Sequence, residues 1–431
     1  MLNDLQHNNI QQEQVLLVGL YGPDLSRYEA EEHIDELALL TDTAGGKVVD
    51  KVLQNRTTPD ASYYIGEGKL REISSLAKAL NIDTLIFDDD LSPTQSLNIE
   101  KAAETKVLDR SGLILDIFAS RAKTAAAKAQ VELAQLKYMR PRLSRFWTHL
   151  SRQQGGIGTR GPGEQQIETD RRLIDKRIDT LKQKLDKLDR QRKTQRKRRS
   201  NMNTVSLVGY TNAGKSTLMN ALTETNVHAE DRLFATLDAT IRRYSIDNYD
   251  MLLSDTVGFI RKLPHHLIES FKSTLDELRE ADILLHIIDS SSNMLSDYIE
   301  VVEHTLNDLN ISNEKQLKIF NKIDIIETNR LVELKRAYPA AVFVSAERGI
   351  GLNKLNQKIK KLAEKDFITR TMLIPASKYE GVAFLHRVAN IHNQNYVGSD
   401  IEVTFSISEE NLQRLKSLLS ELEMKQEPVN K

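Results

Sequence analysis

The 431-residue sequence contains no cysteine, so disulfides and thiolate metal sites are excluded. Long apolar runs are also missing, since no segment approaches the length that a membrane-spanning helix needs. The polar residues 1–14 lack the apolar core of a signal peptide, and the ten histidines show no H-E-x-x-H metal pairing. These absences lead us to expect a cytoplasmic protein without a membrane span. For the oligomeric state, which the sequence does not determine, we take a monomer as the default.

Basic charge is concentrated in one part of the chain. The net charge of the whole chain is −1, but residues 121–199 hold 23 Lys and Arg against 8 Asp and Glu. Such segregation predicts a polyanionic partner for this segment.

Residues 209–216 have the G-x-x-x-x-G-K-[ST] spacing of a phosphate-binding loop. The apolar run Thr204–Val208 before them predicts a strand, and Thr217–Leu222 after them predicts the start of a helix. Glycine lets the backbone curl around phosphate oxygens, and the helix N-terminus adds free N–H donors. Lys215 would reach the β- and γ-phosphates, and the Ser216 hydroxyl would bind Mg²⁺. The predicted nucleotide contacts are Gly209, Tyr210, Thr211, Asn212, Ala213, Gly214, Lys215 and Ser216.

Two later loops indicate that the nucleotide is GTP. The first follows the apolar run Leu317–Phe320, and its Asp324 carboxylate can accept hydrogen bonds from guanine N1–H and N2–H₂, a donor pair that adenine lacks. Asn321 would brace the pocket, and backbone N–H groups after Ala341–Val344 could bond guanine O6. The predicted base-side residues are Asn321, Lys322, Ile323, Asp324, Ser345, Ala346 and Glu347.

Two further segments predict how the γ-phosphate is sensed. Asp255, Thr256, Val257 and Gly258 form a D-x-x-G sequence, in which Asp255 would hold Mg²⁺ through water and the Gly258 N–H would contact the γ-phosphate. The second segment contains Phe234, Ala235, Thr236, Leu237 and Asp238. Thr236 would complete the Mg²⁺ coordination, with Thr240 as the competing choice. We assign the catalytic roles to Lys215, Thr236 and Gly258.

Phe259 follows the D-x-x-G glycine, where many GTPases place a glutamine that orients the attacking water. An apolar ring cannot hydrogen-bond a water molecule. The sequence therefore predicts slow unassisted hydrolysis that a partner accelerates, unless Phe259 simply packs and another residue positions the water.

The pattern of elements predicts a multidomain α/β protein. Strands at Val15–Leu20, Lys47–Leu53, Thr84–Phe87 and Lys106–Leu108 alternate with helices, which indicates a small parallel α/β domain over residues 1–110. A long antiparallel helical hairpin over residues 111–200 follows, then a Ras-like P-loop GTPase domain over 201–365 and a small α+β domain over 366–431.

The hairpin has two informative features. Helical segments are predicted at Ser111–Lys137 and Gln166–Arg199, with Pro141 expected to bend or end the first. The second helix carries a heptad seam for a partner helix, formed by Ile174, Ile178, Leu181, Leu185 and Leu188. Between the helices, residues 155–164 are rich in glycine, which suits either a flexible linker or a tip that approaches RNA closely. The neighbouring basic and aromatic residues favour RNA, and they are Lys137, Tyr138, Arg140, Arg142, Arg145, Phe146, Trp147, Arg152 and Arg160.

Together these residues resemble the HflX family of translational GTPases over essentially the whole chain. The most specific parts are residues 155–164, residues 166–172, Phe234–Asp238 and Asp255–Phe259. The resemblance implies a protein that binds the large ribosomal subunit, with its hairpin tip near the peptidyl-transferase region of the rRNA. It further implies that the GTP-bound form splits stalled or idle ribosomes, notably under stress, and that hydrolysis releases the factor.

By position, the resemblance also makes Ser216 and Thr236 Mg²⁺ ligands, and Asn321 and Asp324 readers of the base. Two other functions remain open at this point. The chain could act on an immature large subunit during ribosome assembly. It could also be a GTP-sensing RNA-binding adaptor in which hydrolysis is incidental.

The base assignment leads to a first prediction. Asp324→Asn should weaken GTP binding and favour xanthine nucleotides, because an amide can donate a hydrogen bond to the oxygen that xanthine carries in place of the guanine amino group. Competition binding with GTP and xanthosine triphosphate measures this exchange. Unchanged GTP preference in the variant would contradict the assignment of Asp324.

Overall fold

The computed structural model describes residues 12–146, 162–197, 202–223, 233–234, 240–246, 249–262, 264, 267, 277–311, 315–365 and 367–426. The chain divides into two compact units. The first comprises Met1–Leu188, Asp231–Leu237 and Lys262–Lys272, and the second comprises Asp189–Glu230, Asp238–Arg261 and Ser273–Lys431.

The first unit contains a parallel four-stranded sheet of order β2-β1-β3-β4. Its strands are β1 (Gln14–Tyr21), β2 (Lys47–Asn55), β3 (Thr84–Phe87) and β4 (Lys106–Asp109). Its helices are α1 (Arg27–Thr43), α2 (Glu67–Ala79), α3 (Pro93–Ala103) and α4 (Arg110–Arg121). The central strand β1 is buried from Val15 to Val18, as expected for a strand covered on both faces. Capping boxes begin α1 and α3, with Ser26 and Ser92 as the capping residues.

A buried ion cluster joins helices to the carboxyl edge of this sheet. The Arg110 side chain is 1% exposed, and its guanidinium pairs with both Glu36 of α1 and Asp88 at the end of β3. The Arg110 Nη1–Asp88 Oδ1 distance is 2.8 Å. Because these groups are removed from water, each can stay ionised only while a partner of opposite charge lies beside it.

The helical hairpin follows, with α5 (Ala125–Phe146) and α6 (Pro162–Lys197). Four of the five predicted seam residues lie in one apolar cluster with residues of α5, and they are Ile174, Ile178, Leu181 and Leu185. The single helix expected over Ser111–Lys137 is instead two, because the chain leaves α4 at Ala122 and starts α5 at Ala125. The expected end at Pro141 is also wrong, since α5 continues past it to Phe146.

The second unit contains a six-stranded sheet of order β10-β9-β8-β5-β7-β6. Its strands are β5 (Asn203–Gly209), β6 (Thr240–Ile246), β7 (Tyr249–Asp255), β8 (Ile283–Asp289), β9 (Gln316–Asn321) and β10 (Val342–Phe343). Neighbours pair in parallel except β6 and β7, which are antiparallel. The helices are α7 (Lys215–Thr223), α8 (Leu295–Asp308), α9 (Thr328–Ala337) and α10 (Leu352–Ala363). The strands β5, β8 and β9 therefore end at the same edge of the sheet.

A small antiparallel sheet of order β11-β13-β12 completes the described chain. It consists of β11 (Ile368–Pro375), β12 (Asn390–Val397) and β13 (Asp400–Ile407), with helices α11 (Tyr379–Val388) and α12 (Glu409–Gln426). The sequence predicts a helix over Val382–Ile391, whereas α11 ends at Val388 and β12 begins at Asn390. Most residues of this edge strand are exposed, and its register shifts between Ile391 and Asn393. The predicted fold class, with its parallel α/β sheet, helical hairpin, P-loop domain and small α+β domain, is confirmed. No helix in the described part of the chain is long and apolar enough to cross a membrane.

The buried cluster yields a stability prediction. Arg110→Met should cost about 3–5 kcal/mol of unfolding free energy, because it removes the buried guanidinium with which the Glu36 and Asp88 carboxylates both pair. The matched control is Arg71→Met, since Arg71 is 79% exposed in its pair with Glu67 and should cost less than about 1 kcal/mol. Urea unfolding measures both, and equal losses would contradict the assigned role of the cluster.

Candidate nucleotide-binding site

The predicted phosphate loop connects β5 to the first residue of α7. Gly209 is the last residue of β5, and α7 begins at Lys215. Gly214 has a φ of +89°, and a Cβ there would lie 2.2 Å from the Nδ2 atom of Asn321. Any larger residue at this position would therefore collide with the base-side loop.

Asn321 joins the phosphate loop to the other base-side loop. It is 2% exposed at the end of β9. Its Nδ2 donates to the Ala213 carbonyl at 3.0 Å, and its Oδ1 accepts from the Ala346 N–H at 3.0 Å. One side chain thus holds three of the predicted segments together.

The base-side loops form a small pocket. Its lining is Gly214, Thr217, Asn321, Lys322, Asp324, Ile325, Ser345 and Glu347. The Asp324 side chain is 6% exposed, and its hydrogen bond with the Ser345 side chain lowers the pKa of the carboxyl. A carboxylate that stays ionised here is suited to accept two N–H donors from a base.

Sequence reasoning missed two lining residues of this pocket and two residues that pair with its lining. Arg348 places its Nε 3.4 Å from Asp324 Oδ2, and Asp289 at the end of β8 pairs with the Lys322 ammonium at 2.7 Å. Thr217 and Ile325 complete the lining. The position of Asp289 at the carboxyl end of a central parallel strand is the signal that could have found it.

Lys215 is buried beneath the phosphate loop. Its ammonium donates to the carbonyls of Gly209 at 3.2 Å and Tyr210 at 2.8 Å. Burial lowers the pKa of Lys215 to about 8, and the charge of nearby Asp255 opposes this shift. Both the charged and the neutral form of the Lys215 side chain are therefore populated near physiological pH.

The residues predicted to bind magnesium include one close pair. The Ser216 hydroxyl donates to Asp255 Oδ2 at 2.6 Å. A hydroxyl and a carboxylate are hard oxygen donors, and Mg²⁺ is commonly held by one or two protein oxygens together with phosphate, so this pair fits the ion. Among the described residues no group of three or more His, Cys, Asp or Glu could hold a metal.

The D-x-x-G segment lies directly on the phosphate loop. Thr256 anchors it by donating to the Leu207 carbonyl at 2.7 Å. A Cβ at Gly258 would lie 2.9 Å from Lys215 Nζ and 2.9 Å from Thr211 Cα. The Phe259 ring is 2% exposed and packs in the interior.

The segment predicted to supply a magnesium ligand is described only in part. Ala235, Thr236, Leu237 and Asp238 lie outside the described residues, so the choice between Thr236 and Thr240 stays a prediction. Phe234 is buried in the first unit, where its ring packs edge-to-face on Phe118 of α4 at 4.7 Å. Its φ of +56° is unusual for a bulky residue.

Lys262 also belongs to the first unit and shows the same backbone conformation. Its φ is +53°, and its ammonium pairs with the carboxylates of Asp88 and Asp89 after β3. The Lys262 Nζ–Asp88 Oδ2 distance is 2.8 Å. Phe234 and Lys262, which lie in or next to the predicted γ-phosphate segments in the sequence, thus pack against other residues of the first unit.

Two of the residues proposed for RNA contact also make contacts within the first unit. Arg142 lies over the Tyr138 ring at 3.5 Å and pairs with Asp109 of β4 at 2.6 Å. The Tyr138 hydroxyl donates to the same carboxylate at 2.7 Å. These contacts fasten α5 to the first sheet and carry the helix past Pro141. The greater part of the glycine-rich tip, residues 155–161, lies outside the described residues.

Comparison with known proteins covers most of the chain. Residues 31–119 match the family described as GTP-binding GTPase N-terminal, residues 121–199 match GTP-binding GTPase Middle Region, and residues 204–322 match 50S ribosome-binding GTPase. The GTPase HflX of Flavobacterium psychrophilum is 51% identical over 74% of this chain and 78% of the relative. The GTPase HflX of Escherichia coli is 44% identical over 84% and 86% of the two chains. That of Caldanaerobacter subterraneus is 40% identical over 94% of each.

The buried lysine gives a pH prediction. Affinity for GDP at constant Mg²⁺ should be level below about pH 8 and fall by up to about tenfold per unit above it, because the neutral Lys215 amine no longer attracts phosphate. Titrations with a fluorescent GDP between about pH 7 and pH 9 measure the profile. The control is Lys215→Arg, whose guanidinium stays charged throughout, so its profile should lack this fall. Parallel profiles for the two proteins would contradict the prediction.

Proposed function

Because this chain belongs to the HflX family of GTPases, we propose that its GTP-bound form binds the large ribosomal subunit and splits stalled or idle ribosomes into subunits, notably under stress. The chain is a GTPase, and the domain that holds its nucleotide site matches a family of ribosome-binding GTPases over residues 204–322. That match is the observation that carries the proposal. The protein would act in the cytoplasm as a monomer that associates with ribosomes.

The basic hairpin is the proposed ribosome contact. Its 23 basic residues over positions 121–199 provide the charge that rRNA phosphates attract. The apolar cluster between α5 and α6 is reinforced by an Arg177–Glu132 pair at 2.6 Å and an Arg140–Asp175 pair at 2.8 Å. A stiff hairpin suits a tip, residues 155–164, that must reach rRNA near the peptidyl-transferase region.

The nucleotide site would work with Mg²⁺ held by Ser216 and Thr236 directly and by Asp255 through water. When bound, the ion neutralises charge on the β- and γ-phosphates. Lys215 adds a second positive charge on the same phosphates, and the Gly258 N–H would donate to the γ-phosphate. Asp324 and Asn321 select guanine on the opposite side of the loop.

Phe259 makes the hydrolysis step dependent on a partner. Its ring is buried and has no group that could orient the attacking water. Ribosome binding would raise the rate of hydrolysis by ordering the loops that bear Thr236 and Gly258, or by supplying a polar group. Hydrolysis would then time the release of the protein from the subunit.

Sedimentation of ribosomes tests the proposal. Whole ribosomes mixed with the protein and a non-hydrolysable GTP analogue should convert to subunits, whereas GDP should leave them whole. Replacing residues 155–163 with a Ser-rich loop of equal length should preserve nucleotide affinity and abolish splitting, because the nucleotide site is formed by other segments. Fluorescent nucleotide titration provides the folding control for that variant.

Other outcomes would favour the alternatives. Persistence of whole ribosomes, together with tight binding to precursors of the large subunit, would indicate a role in assembly. Splitting that survives replacement of the tip would refute the tip assignment. If the Asp324→Asn variant loses GTP binding but keeps its activity in cells, the GTP switch would be contradicted.

A further inference from the structure

Tyr210 is the second residue of the phosphate loop, and its side chain points to neighbours rather than to the solvent. The side chain is 5% exposed, and its ring stacks on Tyr298 of α8 with centroids 3.8 Å apart and planes 9° apart. Its hydroxyl accepts a hydrogen bond from the Arg261 N–H at 2.9 Å. Phosphate binding by such a loop uses backbone N–H groups, so this side chain is available for a different task.

The hydrogen bond between Arg261 and Tyr210 is one of three between the phosphate loop and residues 258–261. The Phe259 N–H donates to the Gly209 carbonyl at 3.1 Å, and the Thr211 N–H donates to the Phe259 carbonyl at 2.7 Å. Tyr210 and Phe259 accordingly pair as a parallel β-bridge. These three hydrogen bonds hold residues 258–261 against the loop. Two of them join backbone groups, and the third has the Tyr210 hydroxyl as its acceptor.

In this arrangement the Gly258 backbone and the Lys215 ammonium lie close together. The Gly258 backbone lies so close to the Lys215 ammonium that an added Cβ would be 2.9 Å from Nζ. A γ-phosphate that accepted from both Lys215 and the Gly258 N–H would have to separate these groups. GDP has no γ-phosphate and makes no such demand on Gly258.

We propose that Tyr210 is a positioning residue that holds residues 258–261 closed on the phosphate loop, so that GTP must break its hydrogen bond and GDP need not. Stacking on Tyr298 fixes the phenol before the bond forms, which lowers the entropy cost of making it. The hydroxyl thus sets how strongly the site prefers GDP over GTP. The inference rests on GTP binding at this site and does not depend on ribosome splitting.

The test compares affinities for two nucleotides in the full-length protein without ribosomes. Tyr210→Phe keeps the ring and removes the hydroxyl. The ratio of affinity for a non-hydrolysable GTP analogue to affinity for GDP should rise by about 2- to 10-fold, the value of one net hydrogen bond. In steady-state hydrolysis the KM for GTP should fall, with a smaller change in kcat.

A matched control separates positioning from a general loss of packing. Tyr244→Phe removes another buried tyrosine hydroxyl of the same unit, which donates to Asn356 Oδ1 at 2.7 Å. It should lower the unfolding temperature and leave the nucleotide ratio unchanged. Tyr298→Leu removes the stacking partner and should shift the ratio in the same direction as Tyr210→Phe.

Three results would overturn the proposal. An unchanged ratio in Tyr210→Phe would show that the hydroxyl does not resist GTP. A lower ratio would show that the bond supports the GTP-bound geometry instead. An equal rise in Tyr244→Phe would show that the effect comes from looser packing of the unit.

Discussion

The close approach of Gly214 to Asn321 is the constraint on which the whole nucleotide site depends. Only a residue without a Cβ can let the Asn321 amide reach the Ala213 carbonyl, and the same amide then fixes the loop that contains Ala346. The phosphate side and the base side are thereby set at a defined separation by one buried side chain. A substitution at Gly214 would consequently disturb recognition of the base as well as of the phosphates.

The two parallel sheets use their carboxyl edges in different ways. Loops at such edges collect polar groups, and these groups either bind ligands or require partners within the protein. In the first sheet the carboxylates of Asp88 and Asp109 are paired with Arg110 and Arg142. In the second sheet Lys215 is held by backbone carbonyls, which ligand phosphates can replace. The same topology has produced a structural ion cluster in one case and a nucleotide site in the other.

Those features of the fold and the site that have a local signal in the sequence could be predicted from it. The phosphate loop and the Asn321–Asp324 loop are short motifs after apolar strands, and the structure brings them together as expected. The course of α5 through Pro141 could not be predicted, because Arg142 and Tyr138 are anchored by Asp109, a residue distant in sequence. Strand β12 was missed because this edge strand is mostly exposed and its register shifts after Ile391, so its apolar residues do not alternate regularly. Arg348 carries no motif, and its role becomes visible only through its distance to Asp324, whereas Asp289 could have been found from its position at the end of β8.

The left-handed backbone at Phe234 and Lys262 bears on whether the GTPase domain could be cut from the rest of the chain. Each such conformation costs about 1 kcal/mol or more in a non-glycine residue and persists only where its surroundings compensate. Here the compensation comes from the Phe118 ring and from the Asp88 and Asp89 carboxylates, all of which lie outside residues 201–365. A fragment cut at the ends of the GTPase motifs would contain both residues without the groups that hold them. The order of motifs suggests a cassette, whereas Phe234 and Lys262 belong to the same compact unit as Phe118, Asp88 and Asp89.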